Sequence, residues 1–160
     1  MQFSQWRAAI LLIAAGKACA GDAGAPVPFP AEYRTWAVAR SLVVGPENKS
    51  FAVNGGFHHY YANEKAVEGF RTGQFPDGSV VVDERLEARQ EAGATFEGSR
   101  KSVAVMEKNA TRYQSTGGWG FDVFGGQDRT QSAPASVRAT CFSCHSQRKD
   151  HDFLFSEFRK

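Results

Sequence analysis

The sequence contains little cysteine: only Cys19, Cys141 and Cys144 in 160 residues. A disulfide scaffold carries four or more cysteines at regular spacings, so this class of fold is excluded. Cys141 and Cys144 are separated by two residues and followed directly by His145, which forms the motif C-x-x-C-H. The chemistry of the chain is therefore concentrated in this one motif.

The sequence also lacks an excess of either charge, with 19 basic and 17 acidic side chains and a formal net charge of +2. Lysines and arginines form no basic run and do not alternate with aromatic residues. Nucleic acids and anionic membrane surfaces attract strongly basic proteins. We therefore expect no nucleic-acid partner and no electrostatic membrane partner.

A hydrophobic run long enough to cross a membrane is missing. The apolar stretch AAILLIAAG has nine residues, whereas a membrane-spanning helix needs about twenty. It follows Arg7 and precedes an A-x-A pattern that ends at Ala20, which is typical of a cleaved export signal. We predict a signal peptide over residues 1–20, cleaved after Ala20, and one domain over residues 21–160 in the periplasm without a membrane anchor. A lipoprotein signal through Cys19 is the alternative.

Three kinds of site use a C-x-x-C pair. In c-type cytochromes the two thiols add to the vinyl groups of a haem and the following histidine binds the iron. A thioredoxin-like redox pair follows an early strand of a βαβ unit, unlike this motif near the end of the sequence. A zinc site would combine Cys141, Cys144 and His145 with His151, without the usual two separated ligand pairs. We predict one covalent haem c on Cys141 and Cys144, with His145 as the iron ligand.

Methionine is scarce as well, which bears on the sixth iron ligand. After the signal, only Met106 remains, and it lies in an alternating segment that predicts a packed strand residue. His58 and His59 are the other candidates, and on a strand they point to opposite faces. We therefore predict a five-coordinate haem iron that is open to a small ligand.

The remaining pattern predicts an α+β fold, mainly antiparallel β-sheet with short helices, in a single domain. Pro30 indicates a helix over residues 29–40, and Asn63 indicates the start of another that ends before Gly73. Residues 51–61 have extended character, and residues 75–78 form a turn. Strands are predicted at residues 79–89, 102–109 and 118–126, followed by a last helix that carries the haem motif.

Several segments together resemble the cytochrome P460 and cytochrome c′-β family. They are FPAEYRTWAVAR, HHYYAN, TGQFPDGSVVVDE, EKNATRYQSTGGWGFDVF, CFSCH and DFLFSEF, in this order along the chain. The resemblance implies a mainly antiparallel β fold, a haem packed against the sheet by the C-terminal motif, an open distal site and a possible homodimer.

The two branches of this family differ in their distal chemistry. Cytochromes P460 carry a lysine cross-linked to the porphyrin and oxidise hydroxylamine, whereas cytochromes c′-β lack this bond and bind nitric oxide or carbon monoxide under phenylalanines. The cross-linking lysine aligns with Asp83, five residues after Gly78. A carboxylate cannot form this bond, so we expect no cross-link, and neither Lys49 nor Lys65 has a pattern that indicates a substitute.

Three functions follow as hypotheses. The first is a haem protein that binds a small gaseous ligand such as nitric oxide. The second is an oxidoreductase of hydroxylamine or a related nitrogen compound, with His58 and Asp83 as candidate catalytic residues. The third is an electron carrier with a closed iron and an electron-transfer partner that the sequence does not identify. The sequence leaves enzymatic activity undecided.

Five further residues are candidates for supporting roles near the haem. Trp119, Phe121 and Phe57 are predicted to pack in the core or against the haem. His151 and Asp152 follow the motif and are candidates to orient the haem helix, alongside the alternative of surface or capping roles.

Overall fold

The computed structural model describes residues 25–159, so the predicted signal peptide lies outside the described residues. Within these residues, five strands form one antiparallel sheet in which each strand pairs with the next along the chain. They are β1 (Ala37–Val44), β2 (Gly56–Ala62), β3 (Val80–Glu91), β4 (Ala94–Lys108) and β5 (Trp119–Gly125). The predicted α+β fold with a mainly antiparallel sheet is confirmed.

The part of the chain that the structure describes also contains three short α-helices: α1 (Phe51–Asn54), α2 (Glu64–Thr72) and α3 (Ala135–His145). The 3₁₀ turns are Tyr33–Thr35, Gln114–Thr116 and Ser146–His151. The predicted caps of α2 are confirmed, because Asn63 accepts a hydrogen bond from the Ala66 N–H and Gly73 adopts the left-handed conformation. Within residues 25–159, no helix is long and apolar enough to span a membrane.

Two predicted elements were wrong in part. The helix expected over residues 29–40 is limited to Tyr33–Thr35, and Ala37–Val44 forms β1 instead. Backbone pairing of β1 with β2 outweighs the helical spacing of the aromatic residues. The extended segment expected over residues 51–61 begins with the helical turn α1, and the strand starts only at Gly56.

The sheet separates two apolar clusters because side chains alternate between its faces. The first face packs against α2 and α3, and its cluster includes Val81, Met106 and Trp119. The second face is covered by the segment before β1, and its cluster includes Tyr33 and Val82. We call these the helix face and the lead face of the sheet.

A buried carboxylate lies on the lead face. The Glu84 side chain is 2 % exposed, accepts a hydrogen bond of 2.7 Å from the Tyr33 hydroxyl and forms an ion pair with Arg34. Arg100 contributes a second cation at 3.9 Å. Burial opposes ionisation, but the hydrogen bonds and charge of Arg34, together with the bond from Tyr33, lower the pKa of Glu84. The buried charge of Glu84 is therefore balanced by neighbouring arginines, and its contacts with Tyr33 and Arg34 attach the segment before β1 to the lead face.

Candidate functional site

The C-x-x-C-H motif occupies the last turn of α3. Cys141 and Cys144 are three residues apart, so they lie on one side of the helix, and neither is in a disulfide. Cys141 is partly buried against the cluster of the helix face, and burial raises the pKa of its thiol. Cys144 lines a cavity between α3 and the sheet. The helix thus presents Cys144 to the cavity, whereas Cys141, one turn earlier, packs against the sheet on the same side of the helix.

His145 lines the same cavity at the end of α3. Its Nδ1 lies 2.7 Å from the carbonyl oxygen of Phe153, and its ring contacts those of Phe121 and Phe155 at centroid distances of 5.2 and 5.1 Å. Burial lowers the pKa of His145, and the hydrogen bond to Phe153 only partly opposes this. The ring is therefore neutral at pH 7, with Nδ1 donating to the carbonyl and Nε2 available as a metal ligand.

The cavity has a volume of about 680 Å³, which lies within the range of cofactor and ligand sites. Its walls come from the helix face of the sheet, from residues 42–54, from the end of α3 and from residues 154–156. The apolar lining residues include Leu42, Val44, Val81, Ala104, Met106 and Leu154. A mainly apolar cavity with a few convergent polar groups is suited to a large, flat cofactor.

A polar cluster forms one part of this wall: Asn54, His58, Asp83 and Arg85. His58 Nδ1 donates to the Asp83 carboxylate at 2.9 Å, and Arg85 Nε donates to the same carboxylate at 2.8 Å. Arg85 Nη1 also donates to the Asn54 side-chain oxygen at 3.0 Å. Asp83 is 13 % exposed and is balanced by two cationic groups.

Both ring nitrogens of His58 face hydrogen-bond acceptors. Nδ1 meets the Asp83 carboxylate, and Nε2 lies 2.6 Å from the carbonyl oxygen of Asn54. Only the doubly protonated ring can donate from both nitrogens. Burial opposes this charge, but the hydrogen bond and charge of Asp83, followed by the Asn54 carbonyl, raise the pKa of His58. This arrangement favours the cationic form of His58 and leaves neither nitrogen available to bind iron.

The other candidate ligands are divided between the two faces. His59 lies on the face opposite His58, where its nitrogens contact Ser41 and Glu97 at 2.8 Å, so the predicted alternation is confirmed. Met106 is buried in the cluster of the helix face, as predicted, and it also lines the cavity.

The predicted supporting aromatics have different positions. Trp119 is fully buried, and Phe121 is buried beside His145, so the predicted core packing is confirmed for both. Phe57 instead stacks on His59 at 6.0 Å and does not line the cavity. The cavity aromatics are Tyr60 and Phe155.

The two candidate supporting residues after the motif, His151 and Asp152, have different environments. Asp152 accepts hydrogen bonds from Lys108 and Trp119, whereas His151 is exposed beside Asp150. No group of three or more histidine, cysteine or acidic side chains in residues 25–159 is arranged to hold a metal ion. The four ligands of the zinc alternative are therefore not brought together.

Lysine is absent from the cavity lining formed by the described residues. Lys65 donates to the Asp77 carbonyl oxygen at 2.8 Å, and Lys49 is exposed in the loop between two lining residues. Asp83 occupies the wall where the resemblance places the cross-linking lysine. The absence of a cross-link stays a prediction.

Arg85, Asn54 and Phe155 line the cavity but were not predicted as site residues. The position of Arg85 was available from the sequence, because it lies two residues after Asp83 on the same strand and so shares its face. Asn54 depends on α1, which the sequence pattern did not indicate, and Phe155 depends on the path of the chain after α3.

The model of one protein family, described as cytochrome P460, matches residues 30–156. No curated protein matches the chain in a sequence comparison. The family match covers most of the chain, including all five strands, α3 and the residues that line the cavity. The chain belongs to the cytochrome P460 family, and the family implies a haem cofactor with iron.

Proposed function

We propose that the protein is an exported c-type haem protein that binds a small ligand such as nitric oxide at an open iron position. The observation that carries this proposal is the environment of His145. This ring is neutral, its Nδ1 is held by the Phe153 carbonyl oxygen, and it shares a cavity wall with Cys144. A neutral, oriented imidazole beside a C-x-x-C pair is the donor set that haem c requires.

The residues of the cavity fit a haem. Cys141 and Cys144 would hold the group through thioether bonds, and His145 would bind its iron. The apolar wall that includes Val81 and Met106 suits the face of a porphyrin ring. When bound, haem supplies an iron with one coordination position for the protein and one for a small ligand.

We expect the second coordination position of the iron to remain open, because the three candidate side chains are engaged elsewhere. His58 has both nitrogens engaged by Asp83 and Asn54, and His59 lies on the other face of the sheet. Met106 lines the cavity but is packed against the cluster of the helix face. To bind iron, His58 would have to give up two hydrogen bonds, and Met106 would have to leave its packing.

Optical spectra of the ferrous protein and stopped-flow binding of carbon monoxide test this proposal. We expect a high-spin spectrum, single-phase binding, and no change of spin state in Met106→Leu or His58→Ala. A low-spin wild type that becomes high-spin in Met106→Leu would identify an electron carrier closed by this methionine. The same change in His58→Ala would identify a histidine-closed iron, and purification without covalent haem would refute the proposal entirely.

A second candidate function is the oxidation of hydroxylamine or a related nitrogen compound. The observation that favours it is the Asp83 carboxylate on the cavity wall, because a carboxylate that faces a substrate is a candidate proton acceptor. Steady-state oxidation of hydroxylamine with an artificial electron acceptor separates the two functions. Turnover that is lost in Asp83→Asn would favour the enzyme, whereas no turnover in the wild type would favour the ligand-binding protein.

Export to the periplasm is also part of the proposal. It is supported by the apolar stretch and the A-x-A pattern at the N-terminal end, and covalent haem attachment takes place outside the bacterial plasma membrane. The mass of the mature protein tests this directly: we expect a chain that begins at Gly21. A purified chain that keeps residues 1–20 would contradict the predicted cleavage.

A further inference from the structure

The segment after α3 returns to the sheet through an unusual backbone conformation. Asp152 and Phe153 have φ angles of +46° and +67°, and both carry a side chain. This region is unfavourable for most residues with a Cβ, and most of all for a bulky residue such as phenylalanine. Two consecutive residues of this kind require other contacts that hold the backbone in place.

Asp152 supplies these contacts. Its Oδ1 accepts hydrogen bonds from Lys108 Nζ at 2.7 Å and from Trp119 Nε1 at 3.0 Å, and its Oδ2 accepts one from the Phe75 N–H at 3.3 Å. These donors come from the end of β4, the start of β5 and the turn before β3. Trp119 is fully buried, and the Lys108 side chain is 13 % exposed. Asp152 therefore connects the return segment to three parts of the domain.

Phe153, the residue after Asp152, connects the anchored segment to His145. Phe153 is buried, its ring lies 6.2 Å from that of Phe142, and its carbonyl oxygen accepts the hydrogen bond from His145 Nδ1. The positive φ angles orient this carbonyl group towards α3. The position of the acceptor, and with it the orientation of His145, thus depends on the anchoring of Asp152.

We propose that Asp152, anchored by Lys108 and Trp119, is a positioning residue that fixes the His145 imidazole through the Phe153 carbonyl group. The inference rests on the proposed role of His145 as the iron ligand. A hydrogen bond from Nδ1 increases electron donation from Nε2 to the metal, and second partners of this kind tune metal sites. Weakening the anchor lowers this donation, which weakens the iron–histidine bond and raises the reduction potential.

The test compares Asp152→Asn with Asp150→Asn in the purified haem protein. Asparagine tolerates the left-handed conformation and can still accept from Trp119 through Oδ1, but it loses the charge that holds Lys108 and the acceptor for the Phe75 N–H. Asp150 is a matched control because it is exposed and pairs with the exposed His151. We expect Asp152→Asn to shift the iron–histidine stretching band of the ferrous protein to lower frequency and its reduction potential upwards, while Asp150→Asn changes neither.

An Asp152→Asn protein with the wild-type band and potential would overturn the inference, as would equal shifts in Asp150→Asn. A purely structural role would lower the stability without moving the band. If Asp152→Asn does not fold, Lys108→Met provides the test, because it removes the ion pair and retains the bond from Trp119. A smaller shift in the same direction is expected there, and no shift would overturn the inference.

A failure of the proposed function can be distinguished from a failure of this inference about Asp152. If the wild type carries no haem, the ¹⁵N NMR shifts of His145 test the same anchor directly. A single Nδ1–H tautomer in the wild type and a mixture in Asp152→Asn would support the inference. Identical tautomers in the two proteins would overturn it.

Discussion

Asp83 and Glu84 are neighbouring carboxylates on β3 that serve opposite faces of the sheet. Glu84 is 2 % exposed on the lead face, where Tyr33, Arg34 and Arg100 surround it. Asp83 is 13 % exposed and lines the cavity on the helix face. Because side chains alternate along a strand, one peptide step separates a carboxylate within the core from a carboxylate within the site.

The partners of the two carboxylates explain their different roles. Tyr33 and Arg34 lie about fifty residues before Glu84 and attach the segment before β1 to the sheet. The partners of Asp83 are Arg85 on its own strand and His58 on the neighbouring strand. Glu84 therefore contributes to the assembly of the domain, whereas Asp83 sets the charge of the cavity wall.

The largest expected effect is the loss of stability in Glu84→Gln. The substitution leaves Arg100, whose side chain is 5 % exposed, without its counter-charge. The cost is about 3 kcal/mol, the lower end of the range for a buried pair, because Arg34 is 59 % exposed and remains solvated. Urea unfolding measures this loss, with the exposed Glu87→Gln as the matched control on the same strand. A loss similar to that of the control would contradict the structural role of Glu84.

Asp83→Asn is expected to cost less, about 1 kcal/mol, because His58 can release its proton once the carboxylate is removed and asparagine still accepts a hydrogen bond. The same urea measurement compares it with Glu84→Gln. Its effect should appear instead in the rate of carbon monoxide binding, because the charge of the cavity wall changes. Equal destabilisation by the two substitutions would remove the contrast between the two faces.

The pH dependence of stability is expected to reveal His58. Its pKa is raised in the folded state, so its contribution is fully present below the ordinary histidine pKa of about 6.5 and is lost as pH rises through the raised value. Urea unfolding of the wild type should therefore lose this contribution on the alkaline side, and His58→Gln should not. His151→Gln, which changes an exposed histidine, should keep the wild-type dependence. An unchanged profile in His58→Gln would contradict the imidazolium assignment.

The last prediction concerns a covalent bond that is not expected to form. No lysine is expected to be linked to the porphyrin, because Asp83 lies where the resemblance places the cross-linking residue. Peptide mapping of the digested haem protein checks this, and Lys49 is the residue to examine first because it lies in a cavity loop. A haem peptide joined to any lysine peptide would refute the prediction, and Lys49→Arg would then show whether this side chain is responsible.

The sequence predicted the parts of the molecule that depend on local pattern. The strands β3 and β5 and the second half of β4 follow from alternation, and the caps of α2 follow from Asn63 and Gly73. The first half of β4, from Ala94, was not predicted. The helix predicted over residues 29–40 was wrong because pairing between β1 and β2 is a long-range interaction that no local spacing reports. Long-range strand pairing regularly overrides the secondary-structure propensity of a local segment.

In the candidate site, too, the features that follow from local sequence pattern were predicted, and those that depend on tertiary contacts were not. The placement of His58 and His59 on opposite faces followed from the strand period, and the same rule applied to Arg85. The acceptors of the ring nitrogens did not follow from the sequence, because the Asn54 and Phe153 carbonyl groups belong to backbone segments whose conformation depends on tertiary contacts. Sequence patterns identify side chains well, but they give little information on backbone groups of this kind.

The central claim is that Cys141 and Cys144 carry a covalent haem. Trypsin cleaves after Arg138 and Arg148, so both cysteines fall in one peptide of residues 139–148. Mass spectrometry of this peptide from the purified exported protein is the most direct test. We predict that it carries one haem through both cysteines, with Cys141→Ser and Cys144→Ser each lowering the yield. A peptide with two unmodified cysteines, in a protein purified with zinc or with no metal, would contradict the account.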